Sequence, residues 1–204
     1  RDDVESRGLG DVYKRQLSDS GIKFDIVGFD ACLMGTIETA YMLEPYADYL
    51  VASEEYEPGT GWYYSEWLKN LSDNTSMPTV EIGKKIVEDY INGPDSSFFD
   101  SNTLSIVDLR EIPYTYSKLC EIMQQEEGVL DSRYSVISQA RYNAKSFGDG
   151  EYEQIDIKSY LEECGKSDTE LDKVLRSAVK YSGSSSYNSN GLAMYFPYDY
   201  PDYY

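Results

Sequence analysis

Short apolar runs recur along the chain in a way that favours buried β-strands. They lie at residues 24–29 (FDIVGF), 49–53 (YLVAS), 103–109 (TLSIVDL) and 191–196 (GLAMYF). Apolar runs of this length between polar or glycine-containing segments are typical of strands that are covered on both faces of a sheet. We therefore predict that these four runs form strands of one sheet.

Helical spacing of apolar residues fills most of the chain between these runs. Helices are predicted at about 36–43, 62–71, 78–91, 112–125, 131–146 and 156–164. A further helix follows the capping-box pattern at 167–170 (SDTE), and its apolar stripe is Leu171, Val174, Leu175, Ala178 and Val179. Residues 182–190 are predicted to form a loop. Strands that alternate with helices indicate an α/β fold, with a parallel or mixed sheet and helices on both faces.

The two ends of the chain lack either pattern. Residues 1–16 (RDDVESRGLGDVYKRQ) have no clear periodicity and resemble translated sequencing-adaptor sequence. We expect this segment to be a non-native tail rather than a natural flexible one. The tyrosine-rich run at 195–204 stops without a helix or strand terminus, and we expect the chain to be interrupted there as well.

Composition narrows the class of protein. The 204 residues are 41% hydrophobic, enough for the core of one domain. Eighteen basic residues against 37 acidic ones give a net charge of −19. That charge argues against nucleic acid and anionic membranes as partners, and it would attract cationic substrates unless it serves solubility alone. No apolar run approaches the roughly 20 residues of a membrane helix.

The cysteine and histidine counts restrict the chemistry further. Three cysteines, with no C-x-x-C pair, describe neither a disulfide framework nor a zinc site. The chain contains no histidine. Hydrolases usually draw a catalytic base or a metal ligand from histidine, so its absence is the strongest restriction in the composition.

Cys32 has the best position for chemistry among the reactive side chains. It follows a predicted buried strand and precedes a predicted helix. Ligands of open α/β sheets bind at the carboxyl ends of the strands, and a helix N-terminus favours the thiolate form of cysteine. The alternative is a small buried cysteine that only packs.

The residues around Cys32 resemble the nucleophile strand of the clostripain-like cysteine peptidases. The resemblance covers 24–35 (FDIVGFDACLMG), 49–55 (YLVASEE), 57–62 (EPGTGW) and 191–197 (GLAMYFP). It implies a caspase-like fold, which is an α/β fold with a mostly parallel sheet and helices on both faces. Residues 17–204 would then be a partial peptidase domain, truncated on its N-terminal side and at its C-terminal end. The family cleaves peptide bonds, typically after Arg or Lys, is bacterial, and acts outside the cell or at its surface.

Carried over by residue, the resemblance makes Cys32 the nucleophile and Asp30 the acidic group of a substrate pocket. Trp62 would form an apolar wall of that pocket, or belong to the core. Thr60 stands where some relatives carry an acidic residue, which puts a strict Arg or Lys preference in doubt. The family's catalytic histidine lies upstream, so we expect the upstream half of the same polypeptide as a partner, besides basic peptide or protein substrates.

On this reading the chain alone should be inactive. The alternative is a non-catalytic caspase-like domain that binds peptides or acts as a scaffold.

No cofactor is implied for the chemistry. Two acidic groups could bind calcium through their oxygens, but neither follows the EF-hand pattern, and solvated acidic turns are the favoured interpretation. Cys120 and Cys164 are expected to pack in helices. The acidic groups are Glu54, Glu55 and Glu57, and Asp149, Glu151, Glu153 and Asp156.

Overall fold

The structure is a computed structural model, and it describes residues 15–93, 101–150, 153–167, 169–185 and 189–197. The prediction of a non-native tail falls almost wholly on residues 1–14, outside the described part, and residues 15–20 are helical. The predicted interruption at the other end falls mostly on 198–204, which also lie outside it. Within the described residues, no helix is both long and apolar enough to cross a membrane.

Seven strands form two sheets in the described part of the chain. They are β1 (Phe24–Gly28), β2 (Ala47–Ala52), β3 (Thr103–Asp108), β4 (Ser146–Phe147), β5 (Gln154–Asp156), β6 (Val179–Ser184) and β7 (Ala193–Tyr195). The main sheet has the order β1-β2-β3-β6, and the smaller sheet has the order β4-β5-β7.

The main sheet is mixed rather than mostly parallel over the described strands. β1 and β2 run parallel, whereas β3 is antiparallel to both β2 and β6. Every residue of β3 is buried, so its sequence carries no alternation that would reveal direction. The α/β fold itself is confirmed, and the first three predicted strands share one sheet.

The fourth predicted strand belongs to the smaller sheet, which corrects the prediction of a single sheet. β7 pairs with β5, and its backbone meets the segment after β1 at a bridge between Thr36 and Ala193. The strand beside β3 is instead β6, in a segment predicted as a helix end and a loop. Its sequence, VKYSGS, does not look like a strand because a glycine stands where an apolar side chain would be expected. Glycine is needed at 183 to leave room for the helix that packs there, since a Cβ would lie 2.9 Å from Cγ1 of Ile91.

The predicted helices are present near their predicted places. They are α1 (Ile37–Leu43), α2 (Tyr64–Asp73), α3 (Thr79–Asn92), α4 (Ile112–Glu127), α5 (Leu130–Asn143), α6 (Ile157–Glu163) and α7 (Glu170–Ala178). Asp156 caps α6 as predicted, since its side chain accepts the N–H of Ser159. The cap of α7 is Thr169 and not Ser167, because the Thr169 hydroxyl accepts the N–H of Asp172.

Helices cover both faces of the main sheet. Adjacent residues of β2 point to opposite faces, as alternation in a strand requires. Val51 joins a core with Ile106 and the α3 residue Val87, and Trp62 completes it. Leu50 joins the larger core on the other face, formed with α1, α4 and α7. The helices cover the faces of the sheet but not the carboxyl end of β1, which is open to solvent. The candidate site lies at that end.

Candidate active site

Cys32 lies in the connection between β1 and α1, residues 29–36, which we name the nucleophile loop. Its side chain is exposed, and its Sγ accepts a hydrogen bond from the backbone N–H of Glu57 at 3.2 Å. The expected role of the α1 N-terminus is not met. That helix begins at Ile37, and its first turn is capped by Thr36. The N–H of Glu57 is therefore the donor positioned to stabilise a thiolate.

The nucleophile loop rests on the segment that follows β2. The N–H of Leu33 donates to the Glu55 carbonyl at 3.2 Å, and the N–H of Gly35 donates to the Ser53 carbonyl at 2.7 Å. A Cβ on Gly35 would lie 2.8 Å from the Ser53 carbonyl carbon, so only glycine permits this approach. Leu33 has a left-handed backbone, with φ of 63°. The turn that presents Cys32 is thus fixed by backbone contacts on its C-terminal side.

The Asp30 carboxylate organises the 58–61 turn opposite Cys32. It accepts the Trp62 N–H at 3.1 Å and the Tyr64 hydroxyl at 2.9 Å. Gly61 has φ of +70°, and a Cβ on it would lie 2.6 Å from Asp30 Oδ2. Glycine at 61 therefore allows the turn to close over the carboxylate. Asp30 both holds this turn and faces the space beside the nucleophile.

Three of the four predicted site residues share one cavity. Cys32, Asp30 and Thr60 line it together with Glu57, and its volume is about 340 Å³. Trp62 lies elsewhere: its ring is buried in the core against Gly28 and borders a second cavity of about 290 Å³. Its indole N–H donates to Glu57 at 3.3 Å. Trp62 therefore fixes the acidic groups of the first cavity instead of forming its wall.

Glu57 is the site residue that sequence reasoning missed. Its Oε2 atom is buried without a hydrogen-bond partner. The pKa of its carboxyl is raised to about 8, chiefly by burial and also by a hydrogen bond with Asp30 and the charge of Asp30, against the lowering effect of Trp62. In the sequence, Glu57 is one of several acidic residues in a turn. Its place three residues before Thr60 was the available signal.

Tyr90 adds a second buried polar atom without a partner near this site. Its hydroxyl is buried and unbonded, and it borders the second cavity. Burial raises the pKa of Tyr90, and the nearby carboxylates of Glu57 and Asp30 raise it further. The region beside Cys32 is therefore acidic and incompletely hydrogen-bonded.

The two acidic groups considered for calcium are used differently. No group of three or more Cys, Asp or Glu side chains in the described ranges could hold a metal ion. Glu55 accepts the Gly148 N–H at 2.9 Å. Glu151 lies outside the described residues.

Cys164 is buried in the larger core, and Cys120 is half-buried.

Comparison with known proteins places the chain in a family. The sequence model of the clostripain family matches residues 7–191, which is most of the chain. The chain belongs to the clostripain family. The match begins inside the segment expected to be a non-native tail, so that expectation stays a prediction. No curated protein matches the sequence.

Solved structures show the same fold. A clostripain from Bacteroides thetaiotaomicron, in complex with the peptide inhibitor BTN-VLTK-AOMK, is 16% identical with a TM-score of 0.59, over 90% of this chain and 83% of that chain. A B. fragilis cysteine protease is 14% identical with a TM-score of 0.64, over 94% and 85%. A secreted C11 cysteine protease from B. thetaiotaomicron is 19% identical with a TM-score of 0.65, over 89% and 53%. The caspase-like fold is therefore shared, although identity is low.

Proposed function

We propose that this chain is the nucleophile-bearing part of a cysteine endopeptidase that cleaves peptide bonds after Arg or Lys. The observation that carries the proposal is the shared cavity of Cys32 and Asp30, two residues apart beyond the end of β1. A nucleophile and an anionic group on one short loop can hold the scissile carbonyl and the preceding basic side chain together. Membership of the clostripain family supports peptidase chemistry.

In the proposed reaction, the Cys32 thiolate attacks the scissile carbonyl carbon. A base first takes the proton of the thiol and then delivers it to the leaving nitrogen, and the carbon–nitrogen bond breaks. The N–H of Cys32 contributes to the oxyanion hole. Water then hydrolyses the acyl-enzyme. This chain has no histidine, so we assign the base to the upstream half of the same polypeptide.

The proposed specificity rests on the two carboxyl groups of the cavity. Neither Asp30 nor Glu57 forms an ion pair with any Lys or Arg in the described residues. A basic substrate side chain would supply the missing charge, with Thr60 beside it in place of a further acid. The inhibitor bound to the B. thetaiotaomicron clostripain contains the peptide VLTK, which ends in lysine.

The proposed location is outside the cell or at its surface. Two of the structural neighbours are described as secreted C11 cysteine proteases. The net charge of −19 would steer basic substrates toward the chain at low ionic strength.

The test is an assay of the longer natural polypeptide with matched peptides that carry Arg, Lys, Gln or Glu before the scissile bond. We expect turnover after Arg and Lys that disappears in Cys32→Ala. Asp30→Asn should lower kcat/KM for the basic peptides about 30-fold or more, since a poorly paired buried charge costs ~2–5 kcal/mol. Asp73→Asn, an exposed helix residue paired with Lys69, is the control.

Two results would contradict the proposal. Cleavage that is indifferent to charge, or unchanged by Asp30→Asn, would remove the pocket assignment. Peptide binding without turnover by the longer polypeptide would favour the alternative of a non-catalytic peptide-binding domain.

A further inference from the structure

Two buried carboxyl groups meet behind the nucleophile loop, one from each of the acidic groups considered for calcium. Glu54 lies two residues after the end of β2 and is 1% exposed, and Asp156 ends β5 and is 0% exposed. Burial raises the pKa of Glu54 well above its usual range, and Asp156 raises it further through its charge and a carboxyl–carboxyl hydrogen bond. Burial also raises the pKa of Asp156, against several backbone hydrogen bonds.

Both carboxyl groups accept hydrogen bonds from the same short turn, residues 189–191. Asp156 accepts the backbone N–H of Asn190 at 2.7 Å as well as its side-chain amide. Glu54 Oε2 accepts the N–H of Gly191 at 2.9 Å and the hydroxyl of Ser189. Glu54 Oε1 is buried and accepts no hydrogen bond from the described residues. That oxygen is the free position for a proton.

No described cation forms an ion pair with either carboxyl group. Lys158, on the first turn of α6, donates instead to the Asn190 side chain at 3.1 Å and pairs with Glu162 at 3.5 Å. The Lys145 ammonium lies over the Phe147 ring. The carboxylate of Glu55 accepts the Gly148 N–H. Two adjacent buried negative charges without a cation would be strongly unfavourable, and one shared proton removes one of those charges.

We propose that Glu54 and Asp156 form a carboxylic acid–carboxylate pair that holds one proton and positions the nucleophile loop. In this pair, the protonated carboxyl donates to the ionised one, and their other oxygens keep the 189–191 turn in place. Loss of the proton at alkaline pH separates the two groups and releases the turn. The pair is thus a pH-sensitive clamp that stays closed from acidic to neutral pH.

The clamp reaches the nucleophile loop from two sides. Glu54 lies between Ser53 and Glu55, whose carbonyls hold the N–H groups of Gly35 and Leu33. The 189–191 turn leads into β7, where the N–H of Ala193 donates to the Gly35 carbonyl at 2.9 Å. Opening the turn would therefore loosen both supports. The positioning of a catalytic Cys32 rests on the proposed function, whereas the proton-sharing pair does not.

The sharing of one proton by Glu54 and Asp156 is tested by measurements on this chain without a substrate. Glu54→Gln keeps the shape, and its amide can donate to Asp156 while its oxygen accepts from Gly191. Between pH 5 and 9, the unfolding constant of the wild type should rise more steeply than that of Glu54→Gln, by up to tenfold per pH unit for one proton. Amide exchange of Gly191, corrected for its intrinsic pH dependence, should accelerate likewise. Glu81→Gln, on exposed α3 surface and paired with Lys84, is the control.

Parallel pH dependences of the wild type and Glu54→Gln would overturn the proposal. If Glu54→Gln does not fold, carboxyl ¹³C chemical shifts of the wild type decide instead. A Glu54 carboxyl still protonated at pH 7 is expected, and one that titrates near its ordinary value would overturn the pair. Stabilisation by added Ca²⁺ that is lost in Glu54→Gln would also overturn it, because an ion would then screen the two charges.

The positioning role is tested in the longer polypeptide. Glu54→Gln should leave kcat/KM unchanged near pH 6 and extend the alkaline limb of the pH profile of kcat, with Glu81→Gln following the wild type. An unchanged alkaline limb would remove the positioning role even if the stability test succeeds. Absence of cleavage by the wild type would contradict the proposed function and leave the stability and exchange results standing.

Discussion

Two pairs of carboxyl groups lie near the nucleophile loop, and they differ in almost every respect. Asp30 and Glu57 face an open cavity beside Cys32, and Glu57 Oε2 has no partner. Glu54 and Asp156 are closed inside the fold and between them bind the backbone of the 189–191 turn. Both pairs lack a cation among the described residues. A ligand can reach the pair of Asp30 and Glu57, whereas the pair of Glu54 and Asp156 is closed to ligands.

The difference separates an acidic pair that can bind from one that supports. A buried polar group without a partner is costly, typically about 1–3 kcal/mol, and persists where a ligand can supply the partner. A pair whose oxygens mostly hold backbone N–H groups is part of the structure and needs only a proton. Each pair contains one buried oxygen without a partner, so access from the open cavity, rather than the density of acidic residues in the sequence, distinguishes the two.

The largest effect concerns the chemistry that the open pair serves. The purified chain alone should not cleave Arg or Lys peptides, because it has no histidine to take the thiol proton and protonate the leaving nitrogen. Loss of such a base costs at least about 10²–10⁴-fold in rate. Assays with and without the upstream half measure this. Turnover by the chain alone that disappears in Cys32→Ala would show that another residue is the base.

Truncation of each pair should separate them by stability. Glu54→Ala should lower the free energy of unfolding by about 1–3 kcal/mol, because it leaves the buried Gly191 N–H and Ser189 hydroxyl without their acceptor. Glu57→Ala should cost less, under about 1 kcal/mol, because it removes one acceptor, that of the Trp62 indole N–H, together with a buried oxygen that has no partner. Urea unfolding at pH 6 measures both. Equal losses would break the distinction between the pairs.

The smallest effect is the pH dependence of substrate binding at the open pair. Because the pKa of Glu57 is raised to about 8, its carboxyl is mostly neutral at pH 6 and becomes anionic as pH rises through 8. KM for a basic peptide should therefore fall across pH 6–8, by at most about tenfold per pH unit. The same protonation stabilises the fold at low pH and is lost over that range. A flat KM profile, identical in Glu57→Gln, would contradict this assignment.

Much of the fold could be predicted because its strands are short apolar runs. β1, β2 and β3 are short apolar runs that stand out between polar segments, although only β3 is buried throughout and no residue of β1 is fully buried. β6 could not be predicted in this way. The apolar stripe of the α7 helix continues into Val179 without a break, and glycine and serine make up most of the strand's second half. Strand direction and the separate pairing of β7 depend on contacts between distant segments, which an apolar run does not encode.

The candidate site divides in the same way. Cys32 and Asp30 lie on one loop, so their proximity could be inferred from the sequence. Trp62 was left open between pocket wall and core, because an aromatic ring beside a glycine turn fits either, and the structure places it in the core. The meeting of Glu54 with Asp156 could not be inferred, since it depends on two distant segments that both bind the 189–191 turn.

The left-handed backbone of Leu33 sets a limit on how this loop can vary. A branched residue in that conformation costs about 1–2 kcal/mol relative to the right-handed form. Glycine would relieve the strain, yet it would also free the turn that presents Cys32 to sample other shapes. Local strain and rigidity of the turn are therefore opposed at this one position, and a leucine there accepts the strain in exchange for fewer alternative shapes of the turn that carries Cys32.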